Sequence, residues 1–236
     1  MTSIVALIPA RGGSVRVPGK NLRLLNGVSL IAWKIQQAQK AGIFVGVWVS
    51  TDSDAIVSAA MAAGVTGVIC RPPEFATATS PDIEWVRHAL AQFDEPDEAF
   101  AILRCTSPFF GPVAMREAWL VFQHEQPCDS LRVVKPGDDP GKLWTVDELG
   151  HLRPVLPYLH PSGTPWHSSQ SGVNPPVWKN AGAMEIAWTR VVRAGSISGD
   201  VIVPFKLESN SVAALDINTE EDFALAQKTA EWWDKE

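Results

Sequence analysis

Over residues 4–134, short apolar runs rich in β-branched residues alternate with segments whose apolar positions recur every three to four residues. That alternation predicts an α/β domain: a mostly parallel sheet, right-handed crossovers and helices on both faces. Composition agrees. The 236 residues are 46% hydrophobic and 19% charged, an ordinary globular balance in a chain long enough for one large domain with a substantial core. Glycines and cationic side chains also cluster directly after the first apolar run. Open parallel sheets take ligands there, beyond the carboxyl ends of their strands.

Ile4–Ile8 reads as the first strand. Ser29 to Ala41 reads as a helix with Leu30, Ile31, Ile35 and Ala38 on one side. Val45–Ser50 is the second strand, after which Asp52 or Ser53 is suited to cap a helix running to about Ala63. Gly67–Cys70 is a short strand, and Pro81 fits the first turn of a helix carrying Ile83, Val86, Leu90 and Phe93. Phe100–Leu103 (strand), Pro112–Phe122 (helix) and Ser130–Val134 (strand) complete the alternation. Loops beginning at Pro9, Ser50 and Arg104 leave strands at one edge, so the sheet gathers distant segments. The period fails after Val134. Residues 135–178 hold eight of the 18 prolines with Trp144, Trp166, Trp178 and Tyr158. A stretch that long is functional or an excursion packed against something else, and its aromatics argue against disorder. Regular structure returns with Gly182–Trp188, Val201–Phe205 and a helix from about Thr219 to Trp233.

Several function classes are excluded. No apolar stretch is long enough to span a bilayer, and Ile4–Ile8 is too short for the apolar part of an export signal. The expectation is a cytoplasmic protein without a membrane partner. Cys70, Cys105 and Cys128 lack metal-ligand spacing and read as reduced, mostly buried thiols. His88 and His124 fall within helical patterns, which speaks against a Cys–His catalytic pair. A net charge of −6 argues against nucleic acid, which demands a basic face.

Against that acidic balance, the segment Ala10-Arg11-Gly12-Gly13-Ser14-Val15-Arg16-Val17-Pro18-Gly19-Lys20-Asn21 is a local exception. Arg11, Arg16, Lys20 and Arg23 put four cations within thirteen residues. Glycine lets the backbone approach an anion closely, and successive N–H groups converge on phosphate oxygens. Arg adds paired donors and Lys a compact charge. A polyphosphate site is the inference, with a solvated basic loop as the alternative. The loop lacks the Gly-Lys-Ser/Thr of a Walker A and the Gly-x-Gly-x-x-Gly of a dinucleotide fingerprint. A nucleoside triphosphate held by another glycine-rich loop remains.

Ile8-Pro9-Ala10-Arg11-Gly12-Gly13-Ser14 with Pro18-Gly19-Lys20-Asn21 resembles the signature of the acylneuraminate-type cytidylyltransferases, which make CMP-activated sialic acids and related sugars. Matches continue in order at Val49-Ser50-Thr51-Asp52, Arg71-Pro72-Pro73-Glu74, Thr106-Ser107-Pro108 and Asp216-Ile217-Asn218-Thr219-Glu220-Glu221-Asp222. The resemblance spans nearly the whole chain and is weakest from about 135 to 180. It implies a Rossmann-like α/β core of the nucleotide-diphospho-sugar transferase type. Residues 1–134 are then the nucleotide-binding core, 135–178 an extended dimerisation arm, and 179–236 the completion of the core. The arm implies a homodimer in which each subunit helps close the other's site. The implied reaction is Mg²⁺-dependent attack of a hydroxyl of an acidic 2-keto sugar, a sialic acid-like nonulosonate or ulosonate, on the α-phosphorus of CTP, with release of pyrophosphate. Two alternatives stand beside it: a nucleotidyltransferase using another base or a non-sugar acidic acceptor, and a catalytically weak nucleotide-binding protein on the same fold.

The resemblance also assigns residues. Arg11 and Lys20 match triphosphate positions, and Arg16 adds to them. Ala10, Gly12, Gly13 and Ser14 complete the phosphate loop. Asn21 and Arg71 match positions near the ribose and cytosine, a surface salt bridge being the alternative for Arg71. Ser80 lies in Thr77-Ala78-Thr79-Ser80-Pro81, where the family closes over the base, although its hydroxyls serve equally as turn and cap groups. Asp216 is the metal-ligand candidate, and Asn218 stands where the family has a second Asp. Capping of the last helix by Asp216 or Thr219 is the alternative. Arg11, Lys20 and Asp216 form the catalytic set. For Asp52, helix capping is expected ahead of metal or ribose contact. Acceptor-side candidates are Arg104, Thr106, Ser107, Lys179 and Glu185. Three departures bear on substrate and activity: the first lies in the phosphate loop, and the other two point to an acceptor pocket unlike that for N-acetylneuraminate. Val15 stands where Lys is common. Arg104-Cys105 replaces a typical Gln-Pro, and Arg104 there favours an anionic acceptor group. Lys179-Asn180-Ala181-Gly182-Ala183 resembles the family's Arg-Pro-Asn-Gly-Ala with Ala181 in place of Asn, and Glu185 stands where Tyr is frequent.

Overall fold

A computed structural model describes residues 2–14, 16–93, 98–156, 159, 163–170 and 174–233. Val15 and Tyr158 lie outside the described residues. The first strand, β1 (Ile4–Pro9), is buried from Ile4 to Ile8. Its alternate side chains serve two cores: Ile4, Ala6 and Ile8 face one, Val5 and Leu7 the other. Burial on both faces is why the run is continuously apolar rather than alternating with polar residues. A short hairpin, β2 (Leu24–Leu25) and β3 (Val28–Ser29), leads into α1 (Leu30–Ala41). Ser29 caps α1 by accepting the Ala32 N–H, and Gly42 ends it at φ 68°. There follow β4 (Gly46–Thr51), α2 (Asp54–Ala62), β5 (Gly67–Cys70), α3 (Asp82–Leu90), β6 (Ala99–Leu103), α4 (Pro112–His124) and β7 (Ser130–Pro136). After a small hairpin, β8 (Trp144–Val146) and β9 (Leu152–Pro154), come β10 (Trp178–Trp188), α5 (Thr189–Arg193), β11 (Ile202–Lys206) and α6 (Glu220–Trp233).

The central sheet has the order β11-β7-β10-β6-β1-β4-β5. β1 runs parallel to β4 and β6, β4 to β5, and β7 to β11. Only β10 in this sheet runs antiparallel to its neighbours, β6 and β7. The sheet is therefore mostly parallel, as expected. Ile31 and Ile35 of α1, Met115 and Phe122 of α4 and Phe223 of α6 fill the core on one face. Trp85, Val86 and Leu90 of α3 and Val192 of α5 fill the other. No helix of the described residues is long and apolar enough to cross a membrane.

Three local expectations are corrected. Asp52 does not cap α2: Ser53 occupies the cap position, and Asp52 Oδ1 accepts the Gly12 N–H at 2.8 Å. Of the two residues suited to cap α6, Thr219 does so and Asp216 does not. The capping is reciprocal, Asp222 accepting the N–H groups of Asn218 and Thr219 while Thr219 Oγ1 accepts that of Asp222. Strand structure also resumes before Gly182, because β10 begins at Trp178, paired with Pro136. Its ladder breaks between Asn180 and Glu185, an irregularity that disguises the strand in the sequence. The chain between Pro136 and Trp178 thus leaves and rejoins neighbouring, paired strands.

Candidate active site

Loops from the carboxyl ends of β1, β5 and β6 border one cleft of about 540 Å³. Its cationic end is the loop after β1. Arg11, Ser14, Arg16, Lys20 and Asn21 line it. The loop is held by side chain–backbone bonds, within itself and to neighbouring loops. Asn21 Nδ2 donates to Arg11 O at 3.1 Å, Gly12 N–H is anchored on Asp52, and Arg11 Nη1 donates to Thr77 O at 2.7 Å. A Cβ on Gly12 would lie 3.1 Å from Ser53 Cβ, so glycine permits the close approach to the β4–α2 turn. Ala10, Gly12 and Gly13 shape the loop without lining the cleft. Arg23 turns away. Its Nη1 reaches both oxygens of Glu220 at 2.6–2.7 Å, and its guanidinium lies 3.8 Å from the Phe223 ring centroid, tying the loop to α6.

Lys20 joins the two ends of the chain. Its Nζ donates to Ile217 O at 2.8 Å, next to Asp216, which also lines the cleft. Burial lowers the Lys20 pKa and the Asp216 charge opposes that shift, while Arg16 and Arg11 reinforce it. Asp216 Oδ2 accepts from Asn218 Nδ2 at 2.6 Å. The irregular part of β10 faces the same carboxylate. Gly182 adopts φ +67°, and a Cβ there would lie 3.6 Å from Asp216 Oδ2. Asn180 Oδ1 accepts the Gly182 N–H, and both residues line the cleft. No group of three or more His, Cys, Asp or Glu suited to a metal occurs among the described residues. One carboxylate with a neighbouring amide, completed by substrate phosphate and water, nevertheless fits the hard-oxygen requirement of Mg²⁺.

Arg71 is buried, so the surface salt bridge is ruled out. Its Nε and Nη2 donate to Ser50 Oγ and Ser50 O, each at 3.0 Å, and it lies 4.9 Å from the Trp85 ring centroid. Burial lowers its pKa to about 10, opposed by Asp52 and Asp82. Ser80 lines the cleft beside it. Its hydroxyl bonds Thr77 Oγ1 at 2.6 Å and Glu74 O at 2.7 Å, so the hydroxyls do build the turn that presents Thr77 O to Arg11.

On the far wall, Arg104 Nη2 donates to Asp82 Oδ2 at 2.5 Å and Glu185 Oε1 at 2.9 Å. Arg104 is therefore an already paired cation rather than a bare anion receptor. Glu185 is buried behind it and also pairs with Arg132. Burial lowers the Arg132 pKa to about 10. Burial raises that of Asp82, but the charge and hydrogen bond of Arg104 outweigh it and hold the carboxyl below its ordinary value. Trp85 Nε1 fixes the other Asp82 oxygen at 2.7 Å. Arg104 and Thr106 line the cleft. Three acceptor-side candidates do not: Glu185, fully buried Ser107, and Lys179, whose Nζ pairs with Asp138 at 3.3 Å. Sequence reasoning missed Asp82, Trp85, Asn180 and Gly182 as cleft residues. Asp82 and Trp85 fall in a helix read only from Pro81 and its apolar positions, whereas the Asn180–Gly182 pair lay within a quoted motif.

The chain matches the family model described as cytidylyltransferase over residues 5–138. The CMP-N,N'-diacetyllegionaminic acid synthase of Legionella pneumophila is 34% identical over 233 residues, 97% of this chain and 96% of its own length. The N-acylneuraminate cytidylyltransferase of Escherichia coli is 30% identical over 174 residues, 69% of this chain but only 41% of its own. Among solved structures, a CMP:2-keto-3-deoxy-manno-octonic acid synthetase complexed with CTP aligns with TM-score 0.68 at 15% identity over 99% of both chains. The 4-diphosphocytidyl-2C-methyl-D-erythritol synthase of Anaerococcus prevotii gives TM-score 0.66 at 10% identity, covering 98% of this chain and 99% of its own. These two likenesses bear on the fold alone. A family model over more than half of the chain and a full-length relative at 34% identity settle the kinship: this chain belongs to the cytidylyltransferase family.

Proposed function

We propose that the protein is a CMP-sugar synthetase, transferring CMP from CTP to a hydroxyl of an acidic 2-keto sugar of the nonulosonate class and releasing pyrophosphate. The observation that carries this reading is the Lys20–Ile217 bond, which brings the phosphate-binding loop against Asp216 across 197 residues of sequence. The full-length relationship to a CMP-diacetyllegionaminate synthase supports the substrate class.

In this transfer the acceptor oxygen bonds to the α-phosphorus as the bond from that phosphorus to the bridging oxygen of pyrophosphate breaks. The protein's task is to position both partners and offset the charge that develops on the leaving group. Arg11, Arg16 and Lys20 hold the departing phosphates, and loss of one such contact costs about 3 kcal/mol in the barrier. Asp216, with Asn218 adjoining, would hold Mg²⁺ against the same phosphates, where the ion supplies further neutralisation of the triphosphate. Arg71, Ser80 and Asn21 serve the nucleoside, and Arg104 with Thr106 the acceptor. The pairing of Arg104 with two carboxylates favours an acceptor surface offering both hydrogen-bond donors and acceptors.

The excursion between β7 and β10 serves as a dimerisation arm in this reading. Its hairpin exposes Trp144, Val146 and Leu152, an apolar face suited to a second copy of the chain. The test is pyrophosphate release with each of the four nucleoside triphosphates against N,N'-diacetyllegionaminate, N-acetylneuraminate and 3-deoxy-manno-octulosonate, with and without Mg²⁺. Release confined to CTP, an acidic sugar and added Mg²⁺ is expected. Release with UTP or GTP but not CTP, or none at all, overturns the proposal.

A further inference from the structure

We infer that Lys34, remote from the cleft surface, is a positioning residue for its acceptor wall, an inference that rests on the transferase reading above. Lys34 lies on α1 and is fully buried. An ammonium group has three N–H donors, and three acceptors meet it: Gln37 Oε1 at 2.8 Å, Ser107 O at 2.8 Å and Phe110 O at 3.1 Å. The same helix supplies two more donors to the loop after β6. Trp33 Nε1 and Gln37 Nε2 both reach Pro108 O, at 2.9 and 2.6 Å. Three side chains of one helix thus grip the carbonyls of residues 107, 108 and 110.

That loop starts with Arg104, Cys105 and Thr106 on the cleft wall. Thr106 O in turn accepts the Ile217 N–H at 2.8 Å, and Ile217 O accepts Lys20. A displacement of the clamp is therefore transmitted to Arg104 and Thr106 directly and to the Asp216 segment through one backbone bond. The chemistry of the choice is informative. A buried charge is expensive to desolvate, and a methionine of similar volume is often as stable or more so at such a site. A lysine kept here supplies three donors from one point. Burial, which disfavours the charged form, lowers its pKa to about 7, so the ammonium is retained at a cost.

The test is Lys34→Met, compared with wild type in three measurements: CTP affinity by calorimetry, pyrophosphate-release kinetics with N,N'-diacetyllegionaminate, and hydrogen exchange of residues 104–111. The expected result is a folded variant with CTP affinity within about threefold of wild type. Its kcat with the sugar falls by about tenfold to a hundredfold, the range a misplacement of about 1 Å produces, and exchange accelerates in 104–111 but not in β1. A variant with unchanged kcat and unchanged loop exchange overturns the inference. So does one in which CTP affinity and kcat fall together with exchange raised throughout the chain, the signature of a merely structural role. Should Lys34→Met not fold, Trp33→Phe and Gln37→Leu, which strip the donors from Pro108 O, are held to the same criteria. If the wild type makes no CMP-sugar, the transferase reading has failed, and the exchange pattern still decides whether the clamp orders the loop.

Discussion

Replacing Glu185 by Gln keeps its shape and removes its charge from between Arg104 and Arg132. The Glu185 side chain is only 5% exposed, and those of Arg132 and Arg104 are 14% and 27% exposed. At an effective dielectric constant near 20, the 2.9 Å contact with Arg104 is worth about 6 kcal/mol of gross Coulomb attraction, most of it offset by desolvation. Removing one member of a buried pair leaves the other uncompensated, at a typical cost of about 3–5 kcal/mol. Arg104 keeps Asp82 and reaches solvent, so the loss falls mainly on Arg132, and about 3 kcal/mol is the expected destabilisation. For a chain of this length that corresponds to a fall in Tm of about 6–12 °C. Thermal and urea melts of Glu185→Gln beside wild type measure it. A double variant, Arg132→Met with Glu185→Leu, should recover most of the loss by removing both charges together. A Glu185→Gln protein melting within about 2 °C of wild type refutes the account of a charge-compensated wall.

Three further outcomes follow from the site. Asp216→Ala should nearly abolish pyrophosphate release while leaving the fold intact by circular dichroism, and an unaltered rate would move the cation elsewhere. Arg104→Gln should raise the KM of the acceptor sugar far more than that of CTP in steady-state assays, and equal changes would remove Arg104 from the acceptor wall. The pH dependence of stability should carry the signature of Lys34, on which the Cys105 thiol, itself pushed up to about 12, is the titratable group that bears. With a native pKa near 7 and an ordinary value of 10.5, the unfolded lysine binds more protons between those limits, so stability rises with pH across that window. Urea denaturation at pH 7.5 and 9 should show wild type gaining about 2 kcal/mol relative to Lys34→Met, and parallel curves would refute the shift.

Local signals survived best in passing from sequence to structure. The run Ile4–Ile8 and the stripe of Leu30, Ile31, Ile35 and Ala38 each act within a few residues, so their meaning is visible without knowing the neighbours. The cationic loop of the cleft was legible for the same reason, as glycines and cations adjoin one another. What escaped notice depends on partners far away in the chain. Glu185 is silent until Arg132 and Arg104 are placed on either side of it. Arg23 looked like another loop cation, but its partner Glu220 lies 197 residues on. Asp52 has a sequence suited to a cap, yet the Gly12 N–H competes for it successfully. The first half of β10 was hidden because Lys179, Asn180 and Gly182 are poor strand formers, tolerated where the ladder is broken.

Because Trp178 sits opposite Pro136, the roughly forty-residue detour departs from and docks at a single spot on the sheet. Its length is consequently decoupled from strand register: residues gained or lost there alter loop-closure entropy only logarithmically. Selection is free to remodel whatever surface the detour meets, lengthening or trimming it, while the nucleotide-handling edge keeps its alignment.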